Sequence, residues 1–227
     1  MKNKVCVCGS GKKQKDCCAD CFEVKNWIKD KGGNTTAGES YWIKLEPMPS
    51  VFAPADEEEY FYSLEILEGD PNGALTILKK LLSKYPGDSD ILLNIASAYA
   101  FLDRKEESYE LFKKNYAAHP ERVLSRVMLG MYYLDQNQAD KIPILLDNKY
   151  DLKLLYPEKK VFHITEFLVF SFFLATYYFT INELDKANIY LDLLKQFDKD
   201  DQQIILLEEK IAAKQRLLKS SEKIVTF

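Results

Sequence analysis

Small, aromatic and proline residues recur along the middle of the chain at a fixed interval of 34 positions. Four pairs share this interval: Ala74 and Ser108, Pro86 and Pro120, Ala96 and Gly130, and Tyr99 and Tyr133. A period of this length is typical of stacked helix pairs. In such pairs a small residue lets two helices approach closely, and a proline ends the second helix. The pattern therefore predicts an all-α solenoid built from helical hairpins.

This repeat resembles the tetratricopeptide repeat (TPR). Residues 129–133 spell Leu-Gly-Met-Tyr-Tyr and fit the TPR consensus L-G-x-x-Y. A degenerate first repeat carries Phe61, Tyr62, Ala74, Leu78 and Pro86. A last repeat carries Leu174, Ala175, Tyr178, Ala187 and Leu191, displaced by an insertion of eleven residues. The resemblance implies about four TPR-like pairs over residues 55–200, with the insertion near residues 150–164.

Two apolar stretches near the C-terminal side have separate interpretations. After the last repeat, helical spacing of apolar residues predicts an amphipathic capping helix over 201–219, through Ile204, Leu207, Ile211 and Leu218. Residues 164–181 approach the length of a membrane span. Because Glu166 and the repeat positions Ala175 and Tyr178 lie inside that stretch, we interpret it as a helix buried in the stack and expect no membrane contact.

The cysteines are clustered at the start of the chain. Cys6 and Cys8 form one close pair and Cys17 and Cys18 another, joined by a lysine-rich loop with glycines that allow a sharp reversal. Four thiolates in this arrangement suit tetrahedral zinc, with bonds of about 2.3 Å. Disulfides and unliganded thiols are the alternatives. No secretory signal precedes the cysteines, so we expect a cytoplasmic, reducing location, where such clusters more often bind metal. Cys21 could replace Cys17 or Cys18 as a ligand.

Residues 6–18 resemble the SEC-C motif, in which C-x-C-G-S-G-K-K precedes an aromatic residue, a lysine, one more residue and a cysteine followed by histidine or cysteine. Val7 stands at a usual proline and Gln14 at the aromatic position. This zinc-binding motif was first recognised at the C-terminus of the SecA translocation ATPase and occurs in many bacterial proteins; in SecA it contacts a chaperone and the ribosome. The resemblance implies zinc ligands at Cys6, Cys8, Cys17 and Cys18, with Cys21 as a spare. It also favours a role in protein quality control, secretion or translation.

The region between the cysteines and the repeats predicts two further segments. A short helix is expected at 22–30, ended by Gly32 and Gly33, which completes a zinc-binding head over residues 1–33. Residues 34–54 are rich in Gly, Ser, Thr and Pro and predict a linker, with a strand at 41–45. The head holds eight lysines and four acidic residues, whereas the whole chain has a net charge of −4. A basic head on an acidic body disfavours nucleic acid along the body.

The sequence contains no recognisable catalytic constellation, and we expect that the protein is not an enzyme. His119 and His163 have no neighbouring cysteine, serine or acidic cluster. The segment from Gly9 to Lys13 lacks the first glycine and the serine or threonine of a phosphate-binding loop. An all-cysteine zinc site is usually closed and structural.

The TPR resemblance also implies a groove lined by the first helix of each pair. Its slots are Asp90, Leu93, Ser97 and Phe101; Leu124, Val127, Met131 and Leu134; and Val169, Phe172, Thr176 and Phe179. None is lysine or arginine, so a free carboxylate would find no charged partner. We expect the groove to accept an apolar surface: an amphipathic partner helix, part of this chain, or a second copy. The alternative is that these side chains are core.

Two functions follow from these features. The first is a protein-interaction adaptor that uses the groove and the zinc head, with a ribosome or chaperone contact through the head. The alternative is nucleic-acid or ribosome-surface binding through the lysines of the head, Lys4, Lys12, Lys13 and Lys15. These four lysines can equally belong to a solvated loop, because few charges are present to neutralise phosphates.

Overall fold

The computed structural model describes residues 5–6, 11–13, 15, 17, 21–24, 27–29, 35–37, 40–45 and 51–224, with backbone alone for 27–29, 35–37 and 219–224. The predicted helical class is confirmed, since the described part of the chain is mostly helical. The chain divides into two compact units. The central unit is Met48–Gln136, and the terminal unit joins Met1–Pro47 to Asn137–Phe227.

The central unit consists of five helices joined by short turns. They are α1 (Pro54–Glu65), α2 (Pro71–Lys84), α3 (Ser89–Phe101), α4 (Lys105–Ala118) and α5 (Val123–Asp135). Asp70 caps α2 by accepting a hydrogen bond from the Gly73 amide, and Asp88 caps α3 by accepting from the amides of Asp90 and Ile91. Each cap satisfies amides that have no partner within the helix. The pairs α1–α2 and α3–α4 are the first two predicted hairpins.

The predicted small slots hold buried residues. Ala96 and Ala175 are fully buried, and Gly130 is buried as well. In the central unit Leu75, Leu78 and Leu81 of α2 pack against Ile91 and Ile95 of α3. These contacts join the hairpin α1–α2 to the hairpin α3–α4.

Three of the turns between successive helices contain a left-handed residue. Asp103 has φ of +56°, Asn137 +58° and Asn182 +64°, at the spacing of the repeats. In two of these turns the amide after the left-handed residue donates to a tyrosine carbonyl near the helix end: Arg104 to Tyr99 at 2.8 Å and Glu183 to Tyr178 at 2.9 Å. Asp and Asn tolerate this conformation better than other side chains do, which explains their presence here.

A buried polar network joins three helix ends of the central unit. The Asn115 side-chain amide donates to the Ser89 carbonyl at 2.8 Å, and its Oδ1 accepts from the hydroxyls of Ser125 at 2.6 Å and Ser89 at 3.0 Å. All three residues are at most 3% exposed. Because every polar atom named here has a partner, the network fixes the register of α3, α4 and α5 at little desolvation cost.

Ser108 occupies the slot that holds alanine at Ala74 and Ala187 in two other pairs, and all three are fully buried. Among the described residues its hydroxyl has no hydrogen-bond partner. We therefore expect Ser108→Ala to raise the free energy of unfolding by about 1 kcal/mol or more, because it removes a desolvated hydroxyl at almost constant volume. Thermal and urea denaturation measure this change. A stability equal to or below that of the wild type would contradict it.

The terminal unit combines helices with short strands. Its helical elements are a 3-10 turn (Ala139–Lys141), α6 (Ile142–Leu145), α7 (Leu152–Leu155), α8 (Ile164–Thr180), α9 (Leu184–Lys195) and α10 (Gln202–Ile224). The strands are β1 (Cys21–Val24), β2 (Trp27–Lys29), β3 (Thr35–Ala37), β4 (Tyr41–Lys44) and β5 (Val161–His163). Strand β4 is central: it pairs antiparallel with β1 and parallel with β5, while β2 and β3 form a separate antiparallel pair.

The short helix predicted at 22–30 is wrong, because Cys21–Val24 and Trp27–Lys29 are strands. The sequence suggested a helix there because Gly32 and Gly33 follow the segment as a helix end. Partners distant in sequence override that pattern, since β1 pairs residue by residue with β4, from Cys21 opposite Lys44 to Val24 opposite Tyr41. The strand predicted at 41–45 is confirmed as β4.

Strand β4 belongs to a hydrophobic core and is not an exposed connection. Ile43 is fully buried and Tyr41 is 4% exposed. The Tyr41 ring lies 5.3 Å from that of Phe162 in β5, edge to face. Burial raises the pKa of Tyr41, and the nearby Asp151 carboxylate raises it further. The insertion near 150–164 thus supplies the strand on which part of the predicted 34–54 linker packs.

The structure has a helix at each of the two C-terminal stretches, α8 and α10. Helix α8 buries residues on several sides, including Phe167, Phe170, Phe173 and Tyr177. None of the helices in the described part of the chain is both long and apolar enough to span a membrane. Helix α10 begins where the capping helix was predicted and buries Ile204, Leu207 and Ile211, but Leu218 is 44% exposed and does not continue the buried stripe.

Candidate functional site

The inner helices α3 and α5 are tied together at their starts by a charged pair. The Arg122 guanidinium donates from Nη2 to both carboxylate oxygens of Asp90, at 2.8 and 2.9 Å. Asn94 donates to the Tyr60 hydroxyl of α1 at 2.9 Å. Burial raises the pKa of Tyr60, and Asp90 adds to the rise. Arg122, Asn94 and Tyr60 are not among the site residues predicted from the sequence. No local signal in the sequence marks Arg122, because its pairing with Asp90 depends on how α3 and α5 are placed.

The predicted groove residues of the central unit fall into two groups. Leu93 and Val127 are each 3% exposed and Leu134 is 8% exposed, so these three side chains are core. Met131 and Leu124 are half-buried, and Phe101 is 53% exposed. The surface at these slots is therefore narrower than predicted and is formed by the second group. The charge of Asp90 is balanced by Arg122 beside it.

In the terminal unit, the predicted groove positions on α8 are half-buried, and one of them contacts α10. These positions are Val169, Phe172, Thr176 and Phe179. Lys214 of α10 donates to the Phe179 carbonyl at 2.9 Å, and its ammonium lies 4.5 Å from the centre of the Phe179 ring. A cation at the C-terminus of α8 is favourable because the helix dipole places negative charge there. The capping helix thus occupies the end of this surface.

The described part of the cysteine-rich head contains a chain reversal. The Cys6 amide donates to the Lys12 carbonyl at 2.7 Å, and Val5 forms an antiparallel bridge with Lys13. Gly11 has φ of +74°, which a side chain would strain, so the glycine permits this turn. Cys6 is 3% exposed. Lys12 and Lys13 therefore lie beside Val5 and Cys6, and this reversal of the chain is compatible with a metal-binding knuckle.

The other head residues are only partly described. Cys17 and Cys21 are half-buried, and Lys12, Lys13 and Lys15 are exposed. Cys8, Cys18 and Lys4 lie outside the described residues. Within the described residues alone, no three His, Cys, Asp or Glu side chains come together as a metal site. Because two of the four predicted ligands fall outside that set, the zinc site remains a prediction.

Comparison with known proteins addresses the repeats. Residues 65–114, which cover the end of α1 through most of α4, match the family model described as tetratricopeptide repeat. The TPR protein TTC0263 from Thermus thermophilus superposes with a TM-score of 0.51 at 19% identity, covering 70% of this chain and 80% of that chain. These findings support a TPR repeat domain.

MamA (residue 41 to the end) from Desulfovibrio magneticus RS-1 gives a TM-score of 0.45 at 16% identity, covering 76% of this chain and 93% of that chain. No curated protein sequence matches this chain. Because TTC0263 is only 19% identical to this chain, its similarity shows a shared fold and does not indicate a shared function. TPR proteins generally mediate protein–protein interaction, and their fold is typically a non-catalytic scaffold.

Proposed function

We propose that this chain is a cytoplasmic adaptor whose TPR helices α3 and α5 bind an apolar face of a partner helix. The observation that carries the proposal is the set of apolar side chains at the inner-helix slots that remain accessible, Phe101, Leu124 and Met131. The nearby charges offer no anchor for a terminal carboxylate, because Arg122 already binds Asp90. Binding of this kind buries apolar surface and is insensitive to salt.

We further propose that the head holds one zinc ion through Cys6, Cys8, Cys17 and Cys18, with Cys21 as a spare ligand. The donor set suits zinc, and the reversal between Cys6 and Lys12 suits a knuckle. Zinc in an all-cysteine site supplies structure and not a reactive water. The folded head would form a second docking surface, for which a chaperone or the ribosome is the candidate partner.

The groove proposal is tested by charge substitution at its accessible residues. We expect Phe101→Glu combined with Met131→Glu to remain folded and to reduce capture of specific partners from a native lysate by at least about tenfold, a loss of about 1.4 kcal/mol. Ile189→Glu is the matched control, because Ile189 is 65% exposed on α9 and outside the predicted groove. Equal partner recovery by the double variant and the wild type would refute the groove.

Repeating the same partner capture at increasing salt concentrations distinguishes groove binding from the alternative function. Binding to phosphates through the exposed Lys12, Lys13 and Lys15 should fall steeply as salt rises, because bound counterions are released on association. Groove binding should persist. Capture that depends on RNA and salt, and that ignores the groove variant, would favour nucleic-acid or ribosome-surface binding by the head.

A further inference from the structure

The outer face of α1 carries large apolar side chains that the central unit leaves exposed. Phe61 is 53% exposed and Tyr62 is 55% exposed. Exposed Glu58 and Glu65 lie about one helical turn before and after them, and we call these four residues the α1 stripe. The other side of α1 faces α2, where Asp56 and Glu59 pair with lysines. Terminal repeats of a solenoid normally present a polar outer face. Two exposed aromatic side chains on this face therefore indicate a surface that binds another apolar surface.

The outer face of α10 has a matching character. Leu206 is 50% exposed and Leu217 is 69% exposed, with exposed Lys210 and Ala213 between them at helical spacing. We call Leu206, Lys210, Ala213 and Leu217 the α10 stripe. It lies opposite the buried stripe of the same helix, which packs toward α9. Helix α10 is therefore apolar on two sides, whereas a capping helix that only shields the last repeat needs one.

We propose that the α1 stripe of one molecule binds the α10 stripe of a second copy of this chain. Charge favours this pairing over either self-pairing. Two α1 stripes would bring four glutamates together, whereas Lys210 and the flanking Arg216 outnumber Glu209 on the exposed face of α10. Shape favours it as well, because Ala213 leaves room at the centre of the α10 stripe for the Phe61 and Tyr62 rings.

The contact joins different surfaces of the two molecules, so each molecule keeps one stripe available for the next. Such a heterologous contact adds molecules in series. One helix against one helix buries less than the roughly 1,200 Å² of a stable interface. The association is therefore weak and appears as concentration rises through the micromolar range.

The decisive experiment mixes two variants of the full chain. Sedimentation velocity of the wild type from low to high micromolar concentration should show a mean mass that rises past the dimer. A Phe61→Glu, Tyr62→Glu variant and a Leu206→Glu, Leu217→Glu variant should each be monomeric with unchanged circular dichroism. Their equimolar mixture should form dimers and stop there, because each supplies the stripe that the other lacks. Ile189→Glu and the groove variant Phe101→Glu, Met131→Glu should assemble as the wild type does.

Several results would overturn the proposal. A wild type that stays monomeric throughout this concentration range would refute the contact between the two stripes. A mixture that stays monomeric, or a single variant that still assembles, means that the contact is isologous or lies elsewhere. Loss of assembly in the groove variant with intact stripes would assign self-association to the groove. In that case neither stripe has the proposed role, and the partner bound by the groove is a second copy of this chain.

Discussion

Replacing Ile43 by alanine should lower the free energy of unfolding of the terminal unit by about 2–5 kcal/mol, as for other fully buried aliphatic residues. Ile43 lies in the middle of β4, is completely buried and stands between β1 and β5 in the sheet. Its residue pairs are Phe22 on one side and Phe162 on the other. The substitution removes contacts from a site where three separate chain segments meet, and the surrounding strands cannot collapse into the gap without breaking their pairing.

Tryptophan fluorescence during urea denaturation measures this effect selectively, because both tryptophans, Trp27 and Trp42, belong to the terminal unit. Leu45→Ala is the matched control: Leu45 is two residues away, 46% exposed and outside β4, so its loss should cost little. Equal stabilities of the two variants would mean that residues 41–44 are a connection without a core role. A large loss at Ile43 alone would establish that residues 41–44 belong to the core of the terminal unit.

The repeats could be predicted because their signals are local and recur. Close packing of the hairpins requires a small residue at one position of the repeat. Ala96, Gly130 and Ala175 occupy this position, so a small residue recurs there in the sequence. Buried Ser108 kept its place in that pattern although its hydroxyl lacks a partner in the described structure. A small residue such as serine therefore still fits the repeat pattern, even where it is less stable than alanine would be.

The sheet could not be predicted, because its defining contact is distant in sequence. Trp42 pairs with Val161 in a parallel ladder, and each strand has only three or four residues. Strands this short carry little intrinsic preference, and their stability comes from cross-strand and cross-sheet packing. A composition rich in Gly, Ser and Thr therefore resembles a linker although Tyr41 and Ile43 are core.

The groove was predicted only in part for a different reason. Inner helices of a solenoid are apolar on the side that packs as well as on the side that faces a ligand, and spacing alone does not separate the two. Leu93 and Val127 belong to the packed side, whereas Phe101 and Met131 lie at its edge. The Asp90–Arg122 pair also depends on how α3 and α5 are placed, which no local pattern specifies.

Removing the proposed metal should have the largest effect on the head, because structural zinc in small cysteine modules contributes about 10–16 kcal/mol of binding free energy that is also folding free energy. We expect about one zinc per chain by elemental analysis. Chelation, or Cys6→Ser or Cys8→Ser, should release the metal and open residues 1–20 to proteolysis. Far-ultraviolet circular dichroism should barely change, since the helices that dominate it lie between Pro54 and Ile224. The strand pair β1–β4 should persist as well, because Ile43 and Tyr41 hold β4 in the core without help from the cysteines.

Single cysteine substitutions decide which thiols bind. If Cys17 and Cys18 complete the site, Cys21→Ser should retain a full zinc equivalent, while Cys17→Ser and Cys18→Ser should both lose it. If Cys21 takes the fourth position, Cys21→Ser should lose the metal and either Cys17→Ser or Cys18→Ser should keep it. Cys21 begins β1 opposite Lys44, so ligation there would couple the metal directly to the sheet, and chelation would then also destabilise the terminal unit. A metal-free wild type whose first twenty residues resist proteolysis would refute the zinc proposal altogether.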